Sequence, residues 1–147
     1  MERSLIILKP DCVKRGLIGQ IIARFEAKGL KIIGLRLKAL SRQVVEKHYE
    51  EHAAKPFFRD LCDFMTQGPV CVLAIEGPHA IAVARKLVGK TAGFEAEPGT
   101  IRGDFGLSNQ SNLIHASDSP TSAARELELF FEPSELVSHK LPAETWW

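Results

Sequence analysis

The chain predicts an α+β fold, a ferredoxin-like βαββαβ sandwich whose four-stranded antiparallel sheet carries helices packed on one face. Three observations lead there. Four short apolar or alternating runs are separated by stretches of helical periodicity. The order is β-α-β, then helices, then β-α-β. The length of 147 residues suits one core and a single domain spanning 1–147. A doubly wound parallel sheet would want more strands, with a crossover helix after each.

The first element is Leu5-Ile6-Ile7-Leu8, an apolar run ended by Lys9-Pro10-Asp11 and therefore a buried strand stopping at a turn. From Val13 onward, Leu17, Ile18, Ile21, Ile22 and Phe25 recur at helical spacing up to Gly29, which predicts a helix over 13–28. Between Leu30 and Leu40, Leu35, Leu37 and Ala39 alternate with Arg36 and Lys38, the pattern of a strand with one wet face. Ser41 caps a helix carrying Val44, Val45, His48, Tyr49 and His52, which Pro56 ends.

Phe57, Phe58, Leu61, Cys62 and Met65 make a short amphipathic helix before Gly68-Pro69. The β-branched run Val70 to Ile75 is the third strand, and Gly77-Pro78 opens a helix bearing Ile81, Ala84, Leu87 and Val88. The segment from Gly89 to Ser111 shows no periodicity and reads as a long loop of the kind that carries function. Leu113-Ile114 forms the last short strand, and Ser119-Pro120 caps a final helix with Ala123, Leu127 and Phe130 on one face.

Charge and composition exclude several function classes. With 19 basic and 18 acidic residues the formal charge is +1, which gives no electrostatic reason to expect nucleic acid as the main partner. No apolar run approaches the ~20 residues of a membrane span, and Met1-Glu2-Arg3-Ser4 begins no secretory signal, so a cytoplasmic protein is expected. Cys12, Cys62 and Cys71 are odd in number and lack metal-site spacing; they read as buried small hydrophobes.

Some motifs mislead. Gly89-Lys90-Thr91 resembles the end of a phosphate loop, but Ala84 stands where that loop needs glycine and a helix precedes it. Gly16-Leu17-Ile18-Gly19 lacks the third glycine of a dinucleotide fingerprint; its glycines are read as points of close helix packing. His48 and His52 have the spacing of one helix face but no third ligand, so they read as solvated rather than zinc-binding. Ser117 has no flanking glycines of a nucleophile elbow.

The heptapeptide Asn112-Leu113-Ile114-His115-Ala116-Ser117-Asp118 places an imidazole beside two hydrogen-bonding side chains and a carboxylate. Neutral imidazole is nucleophilic near pH 7 without an activating base. Lys9-Pro10-Asp11, Arg85 with Thr91, and Arg102-Gly103-Asp104 add cations and a hydroxyl that packing does not demand. Converging on a histidine, they would suit a phosphate chain.

With Lys9 to Gly16, His48-Tyr49, Lys55 to Phe58, Pro98 to Asp104 and Asn112 to Asp118 in this order, the chain from Arg3 to about Leu136 resembles nucleoside diphosphate kinase. The resemblance implies γ-phosphoryl transfer from a nucleoside triphosphate to a nucleoside diphosphate by a ping-pong cycle, with His115 as the phosphorylated nucleophile through Nδ1. It implies that Glu126 holds the other ring nitrogen and that Ser117 supports the pair. Lys9 and Asn112 match groups at the ribose, with Lys9 also at the transferred phosphoryl and Tyr49 against them. Arg85, Thr91 and Arg102 match phosphate ligands, Phe57 the ring on which the base stacks, and Leu61 its apolar neighbour. Mg2+ is the implied cofactor, with Asp118 reaching it through water.

The resemblance also implies a homo-oligomer, hexamer or tetramer. Stacking tolerates any base, so broad nucleotide use is expected. There are departures from the family pattern. The segment Ala92 to Glu97 lacks the proline of the family's subunit-contact loop, and Asn109 replaces an apolar residue beside the base. The tail ends in Trp146-Trp147, for which packing on a neighbouring subunit is the expectation.

Overall fold

In the computed structural model, which describes residues 1–146, four strands form one antiparallel sheet. They are β1 (Glu2–Leu8), β2 (Lys31–Lys38), β3 (Val70–Gly77) and β4 (Ile114–Ala116), in the order β2-β3-β1-β4. Around them lie α1 (Pro10–Lys14), α2 (Ile18–Lys28), α3 (Arg42–His48), α4 (Phe58–Thr66), α5 (Ala80–Val88), α6 (Ile101–Phe105) and α7 (Pro120–Phe130). The order is that of the ferredoxin-like fold expected from the sequence.

The helices cover both faces of the sheet, not one. Ile6 and Leu8 of β1 pack with Ile21 and Phe25 of α2 and Ala84 of α5. Leu5 and Ile7, pointing the other way, pack with Val45 of α3, Cys62 and Met65 of α4, and Phe130 of α7. The cause is legible in β1 and β3. Their apolar runs are continuous, not alternating, and such strands need cover on both sides.

Four local expectations need correction. The helix expected over 13–28 is two helices, because Pro10 starts α1 at its first turn and Gly16, at φ 69°, ends it in the left-handed region. Gly16 and Gly19 are not packing points, since a Cβ on either would meet nothing within 4 Å. The helix after Ser41 stops at His48, and a separate 3-10 turn, Glu50–His52, carries the chain on. The long segment after Gly89 is partly ordered into a 3-10 turn, Gly93–Glu95, and α6, both too short to show a period. Thr100 caps α6 through its hydroxyl, which accepts from Gly103 N at 2.9 Å.

β2 also reverses its expected wet face. Leu35 and Leu37 are the exposed residues, while Arg36 and Lys38 are half-buried. A bulge against β3 between Ile32 and Gly34 inserts one residue and flips the alternation beyond it. The three cysteines are free and buried, as expected. Trp146 is exposed, and Trp147 lies outside the described residues. Among the described residues no helix is long and apolar enough to cross a membrane.

Candidate active site

The pairing of β1 with β4 builds the site. Ile7 stands opposite His115, so the end of β1 delivers Lys9 to the edge where β4 presents the imidazole. The junction is tied by Lys9 N donating to Leu113 O at 2.8 Å and Leu113 N donating to Asp11 Oδ2 at 3.0 Å. Leu113 sits at φ 73°, a conformation that costs a branched side chain on the order of 1 kcal/mol or more and is sustained here by those bonds. It turns the chain so that Asn112 and His115 face the same cavity.

That cavity, of 830 Å3, is lined by Lys9, Tyr49, Phe57, Leu61, Arg85, Thr91, Arg102, Asn112, His115, Asp118 and Glu126. Every residue to which the resemblance assigns a role is therefore at its wall, except Ser117. Ser117 is fully buried behind the wall, where its hydroxyl accepts from Leu5 N at 3.0 Å and donates to Glu126 Oε1 at 2.6 Å. The other carboxylate oxygen, Oε2, lies 3.0 Å from His115 Nε2, off the axis of an ideal N–H bond. Burial works to raise the Glu126 carboxyl, but His115 and Ser117 outweigh it and hold the group below its ordinary range. With Nε2 turned inward, Nδ1 is the ring nitrogen left for chemistry.

Three cations converge on one end of the cavity. Lys9 is buried and donates to Asn112 Oδ1 at 2.7 Å. Burial, and next the Arg102 guanidinium, lower its pKa to about 8, against an upward pull from Asp11. Arg102 donates to the carbonyls of Asn112, Gly89 and Ile114 at 3.1, 3.2 and 2.6 Å, so it braces the site's backbone as well as lining it. Burial and then Arg85 lower it to about 10. Cations that destabilise one another in a cavity make a place for a polyanion. Arg85 is more exposed and donates to Ala116 O at 3.2 Å; Thr91 is exposed at the same wall.

Phe57 and Leu61 give the cavity wall an apolar patch. Phe57 is 49% exposed, with the Lys55 ammonium 5.7 Å from its ring and Leu61 on the next turn. Tyr49 keeps its hydroxyl buried without a hydrogen-bond partner, and burial pushes its pKa up. Asp118 is an exposed carboxylate at the rim, held below its usual range by hydrogen bonding to Ser122 and then Ser119. Asn109 and Gln110 also line the cavity.

One residue defeated the sequence reading. His48 is not solvated: it is 4% exposed, with its ring 4.7 Å from that of His115 and 5.3 Å from that of Phe130, both edge-on. Burial, and next His115, push its pKa down to about 3. His52 is parted from it by the end of α3 and lies against Phe57 with centroids 5.6 Å apart. The fold breaks the His48–His52 pair and instead groups His48 with His115 and Glu126, whose nitrogens and carboxylate oxygen lie within 4.8 Å of one another. The only signal in the sequence was the adjacency of His48 to Tyr49. Thr121 and Ser122, which also line the cavity, gave none.

Known proteins similar to this chain share one family description. The family profile described as nucleoside diphosphate kinase matches residues 2–136. A nucleoside diphosphate kinase of Pyrococcus horikoshii is 54% identical over 97% of this chain and 93% of its own. One from Thermomicrobium roseum is 52% identical over 99% of this chain and 98% of its own. Among solved structures, a nucleoside diphosphate kinase family protein from Babesia bovis superposes with a TM-score of 0.96 at 51% identity, covering 99% of each chain. A halophilic nucleoside diphosphate kinase from Halobacterium salinarum, solved in complex with CDP, gives 0.97 at 44% identity, covering 99% of this chain and 97% of that one.

Proposed function

The chain belongs to the nucleoside diphosphate kinase family and transfers phosphate between nucleotides; we propose that it does so through His115, within a single domain spanning 1–147. Nδ1 attacks the γ-phosphorus of a nucleoside triphosphate, a P–N bond forms, the bond to the β-phosphate oxygen breaks, and the diphosphate leaves. A second nucleoside diphosphate then attacks the phosphohistidine, and the ring nitrogen is released unchanged. The observation that carries this reading is the 3.0 Å approach of Glu126 Oε2 to His115 Nε2, which keeps the ring proton on Nε2 and the lone pair on Nδ1.

The other wall residues take roles that follow from their chemistry. Lys9, Arg85, Arg102 and Thr91 bind the phosphates, and Lys9 neutralises charge on the group in transit. Asn112 and Lys9 hold the ribose hydroxyls, with Tyr49 closing that side. Phe57 stacks on the base beside Leu61, which reads no edge and therefore accepts all bases. Asn109 makes that clamp more polar than an apolar residue would. Ser117 fixes the Glu126 carboxylate.

Mg2+ fits the rim. Asp118 is an ionised, exposed carboxylate facing the cavity, the kind of group that holds a hydrated ion through water. When bound, Mg2+ neutralises the β- and γ-phosphates during transfer. We place the enzyme in the cytoplasm as a homo-oligomer, hexamer or tetramer. The test of the mechanism is transfer of label from γ-labelled ATP to an acid-labile protein phosphate, then its discharge onto GDP. His115→Ala must lose both steps; full exchange in that variant would overturn the assignment.

A further inference from the structure

His48 has no role in the reaction just described, yet both of its ring nitrogens are buried without a hydrogen-bond partner. That is an unusual expense, because a buried imidazole normally finds a donor or acceptor for each nitrogen. Its Nδ1 lies 3.9 Å from Glu126 Oε2, the same oxygen that is 3.0 Å from His115 Nε2. A tetrahedral ion with bonds of about 2.0–2.1 Å sets its ligand atoms about 3.3 Å apart, between those two separations. Oε2 also stands off the Nε2 axis, so an entering ion has no ideal hydrogen bond to break there.

We propose that His48, His115 and Glu126 form a binding site for a borderline divalent transition ion such as Zn2+, occupied when His115 is unphosphorylated and the cavity is free of nucleotide. Two imidazoles and one carboxylate make a ligand set suited to Zn2+ and Co2+ and unsuited to Mg2+, which demands oxygens. The Ser117 hydroxyl already orients the carboxylate through Oε1, leaving Oε2 for the metal.

Occupation has a chemical consequence that rests on the phosphohistidine reading. The ion takes the Nε2 lone pair, which requires that nitrogen to be without its proton. The one proton of the neutral ring then sits on Nδ1, exchanged through solvent, and Nδ1 has no lone pair to offer phosphorus. The metal-bound form is therefore silent toward nucleoside triphosphates, and release of the ion restores the reactive tautomer.

The metal arm of the test needs no activity. Purified protein is titrated with Co2+ in Mg2+-free buffer. One ion per chain with the visible absorption of a tetrahedral site, displaced by Zn2+, is expected. His48→Phe should abolish that spectrum, and His48→Gln, which keeps a polar group if the Phe variant folds poorly, should weaken binding at least 10-fold. No stoichiometric spectrum, or one that neither substitution alters, overturns the site and assigns any binding to surface histidines. In the second arm, γ-labelled ATP with Mg2+ is added with and without Zn2+. Slower phosphoenzyme formation in wild type, with no such slowing in the His48 variants, supports the tautomer switch; an equal rate with the metal bound overturns it. Absence of phosphoenzyme in wild type without Zn2+ would instead sink the phosphohistidine reading and leave the Co2+ result standing.

Discussion

Glu126 Oε2 sits 3.0 Å from His115 Nε2 at the buried back of the cavity, and the other oxygen of the same carboxylate accepts the Ser117 hydroxyl at 2.6 Å. The three side chains come from β4, the turn after it and the middle of α7. Their alignment turns Nε2 of the imidazole inward and so decides which ring nitrogen faces the cavity.

Glu126→Gln should leave nucleotide affinity nearly unchanged and lower the rate of phosphoenzyme formation by roughly 10²- to 10⁴-fold, the scale of losing a group that holds a catalytic histidine in its tautomer. Rapid-quench phosphorylation separates the two parameters. A change confined to KM would place Glu126 in binding instead.

Ser117→Ala removes a donor from Glu126 and an acceptor from Leu5 N, both in the interior. A destabilisation of about 1–3 kcal/mol is expected from the unsatisfied groups. Urea unfolding measures it, and stability equal to wild type would show that neither bond matters.

Phe57→Ala should weaken adenine, guanine and pyrimidine nucleotides alike, by about 1–3 kcal/mol in binding. Isothermal titration with a series of diphosphates tests this. A loss specific to guanine would mean that the base edge is read by hydrogen bonds.

Lys9 gives the clearest pH signature. Its folded pKa of about 8 lies below the ordinary 10.5, so kcat/KM falls as pH rises through about 8 and the ammonium that meets the phosphates is neutralised. Stability moves the other way. Between about 8 and 10.5 the unfolded chain holds the extra proton, so folding becomes more favourable as pH rises, by on the order of 3 kcal/mol in full. Lys9→Met should lose both trends; chemical denaturation and initial rates from pH 7 to 10 compare them.

Much of the fold was legible because its signals are local. The continuous apolar runs of β1 and β3, the caps Ser41 and Ser119 and the stop at Gly29 each act within a few residues. What went wrong was also local in cause. One inserted residue in β2 turned Leu35 and Leu37 outward, and Gly16 cut one helix into two. Period counting averages over such single-residue events.

By itself the sequence determined the element order, the α+β class and, through the spacing around Lys9, Arg102 and His115, the family that the chain resembles. Only the tertiary structure decided that helices cover both sheet faces, that Ser117 lies behind the cavity wall, and that His48 is buried against His115 with Glu126 beside both. The physical reason is range. Periodicity and capping are settled by neighbours in the chain, whereas the environment of an imidazole is settled by what α3, β4 and α7 bring to it from 67 and 78 positions away.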